Sequence, residues 1–353
     1  MKQSQMTSNS QDPFAFCRAM LPRVSRTFAI NIGVLDGELH RAVLCAYLFC
    51  RIVDTVEDAP GLPLTEQLAL LDEYATLFAS DQPAPATIAA WIGRWHQAAE
   101  TADEFRLIMG TDLVFAAFAE LPPDVKSSVA RCVCAMAAGM KQTLELPGHA
   151  GSSLRILQTE DDLNQYCYFV AGTVGRMLTE LFCRYAPDID AVARDRMTQL
   201  DQAFARGLQI TNIIKDCRGD ANRGWCYIPL ELLKRRSLTP EAFLAGTDRS
   251  ASLAVVNDLT RKTATYLESA LEYTLLLPRR RRRLRLFNLW SLFFAARTLA
   301  LAWNNPRLLE PNAKVKITRS QVYRTMARTT LLVGRDDTLR RDLQRILQPI
   351  LSP

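Results

Sequence analysis

Apolar residues recur at intervals of three and four along most of this chain, which is the spacing of a helix that buries one face. Leu68, Leu71, Tyr74 and Leu77 form one such series. Segments that alternate apolar and polar residues, the pattern of half-buried strands, are few. The pattern therefore predicts an all-α protein.

Prolines divide the apolar pattern into predicted helices of roughly 15 to 30 residues. The sequence contains no Gly/Ser/Pro-rich linker and no internal repeat, and only its first residues are uniformly polar. We therefore predict a disordered tail over residues 1–12 and a single helical-bundle domain over residues 13–353, built around a central cavity. The prolines at the predicted boundaries are Pro60, Pro63, Pro122, Pro123, Pro147, Pro187, Pro229, Pro278 and Pro306.

The composition narrows the class of protein. Hydrophobic residues make up 48% of the 353 residues, enough for a large core. The nine cysteines include no C-x-x-C pair and follow no secretory signal peptide, which predicts reduced thiols in a cytoplasmic protein. Because the chain has only three histidines, we do not expect a His-rich zinc site.

Two adjoining segments bear on membranes and nucleic acids. The basic run Arg279–Arg285 (RRRRRLR) contributes much of the net charge of +6 and precedes a long apolar segment. Asn288 and Arg297 interrupt that segment, so we predict a buried core helix and no transmembrane anchor. The basic run lacks interleaved aromatic residues and a known module, which disfavours nucleic-acid binding. Peripheral contact with anionic lipid headgroups is the favoured interpretation.

A cluster of acids ends the apolar run YLFCRIVDTVED. Asp54, Glu57 and Asp58 lie three and four positions apart, so a helix would project all three carboxylates to one side. Such a trio is repulsive unless a cation lies among them. A single D-x-x-E-D pattern is more often an ordinary charged surface, and a second cluster is needed to favour a site.

The second cluster lies in the segment QITNIIKDCRGD. Gln209, Asn212, Asp216 and Asp220 follow at steps of three, four and four, on a helix whose other faces are apolar. Two acidic helices that face each other would form an oxygen-rich site suited to Mg²⁺, which proteins usually share with substrate phosphates. The pair of clusters therefore predicts a magnesium site for a diphosphate.

Basic and hydroxyl side chains accompany the clusters. Arg51 precedes Asp54 by three residues, where it could pair with a carboxylate or with a diphosphate oxygen. Ser25, Arg26 and Phe28 stand near the start of a predicted helix, a favourable place for a diphosphate. The alternative, a serine cap beside a surface arginine, stays equally open at this point.

The segment YCYFVAGTVG combines a tyrosine with small residues. Ala171, Gly172 and Gly175 lie within one helical turn, although glycine costs about 1 kcal/mol in a helix. We expect close approach of a backbone or of an isoprenoid chain there. Tyr166 lies about one turn away, and its hydroxyl and π face would suit a cavity in which cations form. A core tyrosine is the alternative.

These segments resemble the squalene/phytoene synthases, which are head-to-head prenyl transferases with the all-α isoprenoid synthase fold. The motifs occur in the family's order over roughly residues 14–325, and they resemble the squalene-forming branch more than the phytoene or dehydrosqualene branches. The matching motifs are VSRTF, LDGELHRAV, YLFCRIVDTVED, YCYFVAGTVG, NIIKDCRGD, RTLALAWNN and KVKI.

The resemblance implies substrates, cofactors and residue roles. The substrate would be farnesyl diphosphate, the cofactors Mg²⁺ and NADPH, and the product squalene, a precursor of sterols or hopanoids. Tyr166 would be the catalytic tyrosine, and Lys316 with Arg319 would hold NADPH. Mg²⁺ would bind to Asp54, Glu57, Asp58, Asp216 and Asp220. The diphosphate or the nicotinamide cofactor would contact Ser25, Arg26, Phe28, Arg51, Gln209, Asn212 and Lys215.

Several positions depart from the family's pattern. Trp225 and Thr318 stand where the family commonly carries a basic residue. Lys215 replaces the more usual arginine, which keeps the charge and loses the bidentate geometry. We also expect no C-terminal membrane anchor of the kind that eukaryotic members carry. These departures concern the NADPH step more than the condensation.

Three alternatives follow from the same residues. A phytoene or dehydrosqualene synthase would release a proton from the last cation and use no NADPH, and a third type of enzyme would stop at presqualene diphosphate. A non-catalytic helical interaction protein would carry its acids only as a solvated face. Product analysis with and without NADPH and the variants Asp54→Ala and Asp216→Ala separate these alternatives. The sequence leaves the prenyl chain length and the oligomeric state open.

Overall fold

Helices form almost all of the regular structure in a computed structural model of the chain, which describes residues 12–59, 61–80, 82–95, 99, 101–146, 154–310 and 315–352. The side chain of Arg26 and most of the tail that we expected to be disordered, residues 1–11, lie outside the described residues. The prediction of an all-α protein is confirmed.

The helices follow one another with short connections. The first nine are α1 (Pro13–Val24), α2 (Arg26–Ile32), α3 (Gly37–Glu57), α4 (Leu64–Thr76), α5 (Pro85–Gly93), α6 (Ala102–Met109), α7 (Thr111–Ala119), α8 (Pro123–Leu144) and α9 (Glu160–Cys167). A π-helix (Tyr168–Gly172) leads into α10 (Thr173–Tyr185), α11 (Ala191–Asn222), α12 (Leu230–Lys234), α13 (Pro240–Ala245), α14 (Arg249–Leu276), α15 (Arg282–Ala302), α16 (Arg319–Leu332) and α17 (Asp336–Leu351). A 3-10 helix (Pro306–Leu309) follows α15, and strands β1 (Arg155–Ile156) and β2 (Trp225–Cys226) pair in parallel.

Local sequence explains where many helices begin. Thr101 accepts a hydrogen bond from the amide of Glu104, whose carboxylate accepts one from the amide of Thr101, and the two residues form a capping box at the start of α6. Asp190 caps α11 by accepting from the amide of Ala193 at 2.8 Å. Pro63 immediately precedes α4, as the proline pattern predicted. The caps at Thr101 and Asp190 provide hydrogen-bond acceptors for amide groups that the first turn of a helix leaves without partners.

The small residues at the start of α10 allow a close helix contact. A Cβ atom at Gly175 would lie 3.0 Å from the carbonyl oxygen of Asp201 and 3.2 Å from Ala205 Cβ. A larger residue would therefore push α10 away from α11. The close approach that we expected at this segment is made by the backbone of α11.

The apolar segment after the basic run forms α15. It is the one helix among the described residues that is long and apolar enough to cross a membrane, and 78% of its most apolar stretch is buried inside the fold. Leu289, Leu292 and Leu299 on this helix are fully buried. The helix is therefore a core helix, as the interrupting polar residues predicted.

The basic run is engaged with aspartates from distant parts of the chain. Arg280 and Arg281 both pair with Asp188, at 2.7 and 2.6 Å. Arg279 pairs with Asp336 at 2.8 Å, and Arg283 with Asp36 at 3.2 Å. Aspartates of the same fold thus pair with most of the arginines in the run. The contact with anionic lipid that we expected would need unpaired positive charge, and these ion pairs do not support it.

Arg285 has a structural role within that run. It is fully buried, pairs with Asp336 at 2.7 Å, and donates hydrogen bonds to the carbonyl oxygens of Leu275, Leu277 and Val333. One guanidinium therefore ties the end of α14 and the start of α15 to the loop between α16 and α17. Buried guanidinium groups are retained when every donor has such a partner.

We expect the variant Arg285→Ala to lower the free energy of unfolding by about 3–5 kcal/mol, because it leaves several buried acceptors without a donor. The variant Arg283→Ala removes an exposed ion pair from the same run and should change that free energy by less than about 1 kcal/mol. Urea unfolding measures both, and equal losses would contradict the structural role of Arg285.

Candidate active site

One face of helix α11 lines an internal cavity of about 560 Å³. This volume lies in the range of small-molecule sites. Because an α-helix rises about 1.5 Å per residue, the face extends about 28 Å from Asp201 to Asp220. Its cavity-lining residues are Asp201, Phe204, Ala205, Leu208, Gln209, Asn212, Ile213, Asp216 and Asp220.

Helix α3 lines the cavity in the same direction. Its lining residues begin with Val43 and end with Asp58, so both helices carry their acids at the C-terminal end. Helix C-termini hold a partial negative charge, which adds to that of the carboxylates. The segment from Tyr166 to Leu178 forms a third wall and runs the opposite way, with Tyr166 near the acids. The cavity therefore has an acidic end and a mainly apolar far end.

The two acidic clusters meet at Arg223. Its guanidinium lies 3.4 Å from Asp58 at the end of α3 and donates a 2.7 Å hydrogen bond to Asp220 on α11. The structure thus brings together the two clusters that the sequence placed on separate helices. Arg223 follows the second cluster in the chain, and it was not among the predicted site residues.

Burial and crowding make ionisation of the carboxyl groups at the acidic end unfavourable. The pKa of Glu57 is raised well above its usual range by burial and by Asp58 and Asp54. Burial also raises the pKa of Asp220 to about 7, although Arg223 opposes the shift. Among the described residues, Glu57 Oε1 is a buried atom without a hydrogen-bond partner. The site is therefore suited to an additional cation.

The predicted cationic residues pair with these acids or their neighbours. Arg51 pairs with Asp54, as expected from their spacing, and also with Glu104 on α6. Lys215 pairs with Asp216. Glu104 is buried and was not predicted, because its contact with Arg51 spans 53 residues of sequence. The two basic groups hold part of the cluster in place without neutralising all of it.

The donor set fits a hard divalent cation by its chemistry. All five predicted ligands offer carboxylate oxygens, which Mg²⁺ prefers. Within the described part of the chain, no three acidic, histidine or cysteine side chains are close enough together to hold a metal in this arrangement. The ligands are distributed over both clusters, with Arg223 between them. The residues that would hold such a cation are Asp54, Glu57, Asp58, Asp216 and Asp220, all of which line the cavity.

An aromatic stack stands beside the acidic end. Tyr166 is buried and stacks on Tyr227 at 4.5 Å, and Tyr227 stacks on Trp225 at 5.2 Å. The guanidinium of Arg155 lies 5.5 Å from the centre of the Trp225 ring. Trp225, which departs from the family's pattern, thus supports the cavity-lining tyrosines. Tyr227 was missed, although side chains two apart on an extended segment share one face.

Burial, then the charge of Glu57, raises the pKa of the Tyr166 phenol well above its usual range. The phenol is therefore protonated near neutral pH. In that form it offers a hydroxyl dipole and a π face to a developing cation, and it is a poor proton acceptor.

The far end contains polar side chains that sequence reasoning did not place. Asn31 donates a 2.5 Å hydrogen bond to Ser291, which lines the cavity on α15. Within the described residues, Asn31 Oδ1 and Asn288 Nδ2 are buried without hydrogen-bond partners. Asp201 lines the cavity although it is almost fully buried. Asp201 lies about two helical turns before Gln209 on the same face of α11. Following the predicted polar face toward the N-terminus of the helix would therefore have identified it.

The residues predicted near the start of α2 have different roles in the structure, one as a helix cap and one as part of the cavity wall. Ser25 accepts a 3.1 Å hydrogen bond from the amide of Phe28, so it caps α2. Phe28 lines the cavity and packs on Tyr47 with ring centres 5.4 Å apart. The side chain of Arg26 lies outside the described residues. The serine is thus a helix cap, and the phenylalanine belongs to the wall.

Lys316 and Arg319 are exposed and lie outside the set of described residues that line the cavity. Thr318 between them caps α16 in a capping box with Gln321. Helix capping explains a threonine where the family commonly has a basic residue. The expected contact of Lys316 and Arg319 with NADPH stays a prediction.

Comparison with known proteins gives the family. The sequence model of the squalene/phytoene synthase family matches residues 21–321. The chain belongs to the squalene/phytoene synthase family. The resemblance found in the motifs is thereby confirmed, and the chain is related to prenyltransferases.

Several squalene synthases are distant relatives of this chain. Squalene synthase 1 of Arabidopsis thaliana is 27% identical over 328 residues, which is 90% of this chain and 71% of that protein. Inactive squalene synthase 2 of the same plant is 26% identical over 321 residues, 89% of this chain and 70% of that protein. The chain spans between 58% and 71% of the length of three squalene synthases that it matches.

A solved structure of TcSQS with a bound ligand has the same fold. Its TM-score is 0.78 at 23% identity, and the match covers 96% of this chain and 99% of that one. The expected isoprenoid synthase fold of the squalene/phytoene synthase family is therefore confirmed.

The raised pKa of Asp220 has a consequence for stability. Because the folded protein holds a proton that the unfolded chain releases above its ordinary pKa of 3.8, stability should fall as the pH rises from about 4 to about 7. With divalent cations removed, Asp220→Asn should be more stable than the wild type at pH 8, by roughly 1–4 kcal/mol. Near pH 4 this advantage should vanish.

Asp188→Asn is the matched control, because Arg281 holds the pKa of that carboxyl below its usual value. It should lose stability at pH 8. Urea unfolding at both pH values tests the pair, and a loss of stability in Asp220→Asn at pH 8 would contradict the sign of its pKa shift.

Proposed function

We propose that this protein condenses two molecules of farnesyl diphosphate head to head and reduces the product to squalene with NADPH. The observation that carries the proposal is an apolar cavity whose one end joins the carboxylates of two helices. A prenyl diphosphate has the same polarity, with a charged head and a hydrocarbon tail. The named squalene synthases among its relatives support the choice of substrate.

The acidic end would receive the diphosphate groups. When bound there, Mg²⁺ would neutralise diphosphate charge and so make it a better leaving group. Arg51, Lys215 and Arg223 lie among the carboxylates and would contact diphosphate oxygens. The residues that would hold the metal are Asp54, Glu57, Asp58, Asp216 and Asp220.

Gln209 and Asn212 line the cavity between the acidic end and the apolar wall. That place suits contacts to the ester oxygen and the first carbons of the chain. Tyr166 and Tyr227 also line the cavity and would stabilise the allylic cation through their π faces. The apolar walls of α10, α11 and α15 would exclude water, which otherwise traps such cations.

The bonds change as follows in the first reaction. The C–O bond of one farnesyl diphosphate breaks, and diphosphate leaves with the electron pair. The 2,3-double bond of the second molecule attacks the allylic cation, and loss of a proton closes the cyclopropane of presqualene diphosphate. The protonated state of Tyr166 favours the released diphosphate as the proton acceptor.

In the second reaction, presqualene diphosphate would lose its diphosphate and rearrange. A hydride from NADPH would then form the last C–H bond, which gives squalene and NADP⁺. Lys316 and Arg319 are the residues that we assign to NADPH by their motif.

The exposure of Lys316 and Arg319 away from the cavity favours a second candidate. The reaction would then stop before the reduction. Its product would be presqualene diphosphate or a dehydrosqualene-type or phytoene-type compound. In that case only the condensation would take place in this site, and added NADPH would leave the product unchanged.

The acidic clusters are tested by single substitutions. Asp54→Asn and Asp216→Asn should each lower turnover of farnesyl diphosphate on the order of 100-fold or more, because each removes a charge that would bind the metal. Asp72→Asn removes an exposed acid on α4 that pairs with Lys141, and it should retain activity. Release of diphosphate measures all three variants. Full activity in the first two would support a non-catalytic role for the acids.

The reduction is tested by mass spectrometry of the lipid product with and without NADPH. We expect squalene only when NADPH is present. The double variant Lys316→Gln/Arg319→Gln should accumulate presqualene diphosphate, while Arg324→Gln, an exposed arginine on the same helix, should still form squalene. The same unreduced product with and without NADPH would establish the second candidate.

A further inference from the structure

The cavity ends about 22 Å along α11 from Asp216, at Asp201. Tyr273 on α14 lines the cavity there and is 2% exposed. Its ring meets that of Phe204 edge-on, with the centres 5.5 Å apart. The terminal carbons of a prenyl chain whose diphosphate lies at the acidic end would point toward this wall.

A second depression lies behind the wall. It has a volume of about 380 Å³, and its lining residues include Arg176, Thr179 and Arg194. Two contacts join residues that line the cavity to residues that line the depression. The hydroxyl of Tyr273 is 2.8 Å from Thr179 Oγ1, and Arg176 Nε lies 2.7 Å from Asp201 Oδ2. Tyr273 and Asp201 face the cavity, whereas their partners face the depression.

We propose that Tyr273, held by Thr179, closes the far end of the cavity and sets the longest prenyl chain that the enzyme accepts. This inference rests on the proposed function and deepens it, because it names the side chain that selects among prenyl diphosphates. Tyr273 touches the end of the chain and not the reacting atoms. It is therefore a specificity-determining residue.

The ring of Tyr273 cannot easily be displaced by a longer chain. A buried tyrosine hydroxyl needs a hydrogen-bond partner, and swinging the ring out of the wall would break its contact with Thr179. The packing against Phe204 would be lost at the same time. A chain that needs more room than the wall allows should therefore bind weakly.

The ion pair of Arg176 with Asp201, beside Tyr273, adds a polar barrier to a hydrocarbon chain at the same end of the cavity. Asp201 is almost fully buried, and Arg176 with Gln202 provides its polar contacts. A longer hydrocarbon tail would have to pass this ion pair, and hydrocarbon packed against polar groups makes no hydrogen bond in return. Removal of the tyrosine ring would open a path between Thr179 and Phe204 that avoids it.

The test compares two substrates that differ by one isoprene unit. For each variant, kcat/KM is measured with farnesyl diphosphate and with geranylgeranyl diphosphate. We expect Tyr273→Ala to raise the ratio of the longer to the shorter substrate at least tenfold. Tyr273→Phe keeps the ring and should leave the ratio within about twofold of the wild type.

Tyr74→Ala is a matched control for the loss of a buried ring. Tyr74 is fully buried on α4 and lies outside the described lining of the cavity. The variant should weaken the protein without changing the substrate ratio. Tyr273→Leu, which shortens the side chain and keeps an apolar core residue, provides a second test if Tyr273→Ala does not fold. An unchanged ratio in the folded Tyr273 variants would overturn the proposal.

Binding separates this inference from the proposed function. Farnesyl and geranylgeranyl S-thiolodiphosphates, which resist ionisation, can be compared by their effect on the thermal unfolding of each variant. If the wild type does not turn over farnesyl diphosphate, the proposed function fails. The stabilisation by the longer analogue relative to the shorter one still tests whether Tyr273 closes the cavity. Selective stabilisation of Tyr273→Ala by the longer analogue supports the proposal, and equal preference in wild type and variant contradicts it.

Discussion

The crowding of five carboxyl groups at one end of an apolar cavity, two of them (Glu57 and Asp220) buried, is the constraint on which the rest of this structure depends. Mutual repulsion and loss of water both raise the free energy of such a group. The fold supplies Arg51, Lys215 and Arg223 as partners, yet the pKa values of Glu57 and Asp220 remain raised. An arrangement that costs this much stability is explained by a ligand that brings positive charge, and a metal-bound diphosphate is such a ligand.

The architecture follows from that requirement. Helices α3 and α11 run in the same direction, so that their acids and their negative C-terminal dipoles meet at one end. The contact at Gly175 lets α10 approach α11 closely, and α15 completes the apolar wall. The buried guanidinium of Arg285 secures α15 from outside the cavity. The polar head and apolar tail of a prenyl diphosphate would thus be matched by one pair of helices.

Local patterns in the sequence were sufficient to predict the all-α fold and the buried helix α15, because both depend on the spacing of residues within one segment. The same spacing placed carboxylates on one face of α3 and on one face of α11. The expectation that these two faces meet needed a further argument, that a shared cation would offset the repulsion of their charges. Contacts between distant segments were not predictable in this way. The pairing of Arg51 with Glu104, the neutralisation of the basic run by Asp188, and the contact of Tyr273 with Thr179 across 94 residues all require the tertiary fold.

The central claim, that the acidic end binds a diphosphate through a shared cation, is tested most directly by calorimetric titration of inorganic diphosphate. We expect tight binding in the presence of Mg²⁺ and little binding without it, because five carboxylates repel a bare anion. The titration should also depend on both helices, so that either acidic cluster alone is insufficient. Equal affinity for diphosphate with and without Mg²⁺ would contradict the claim.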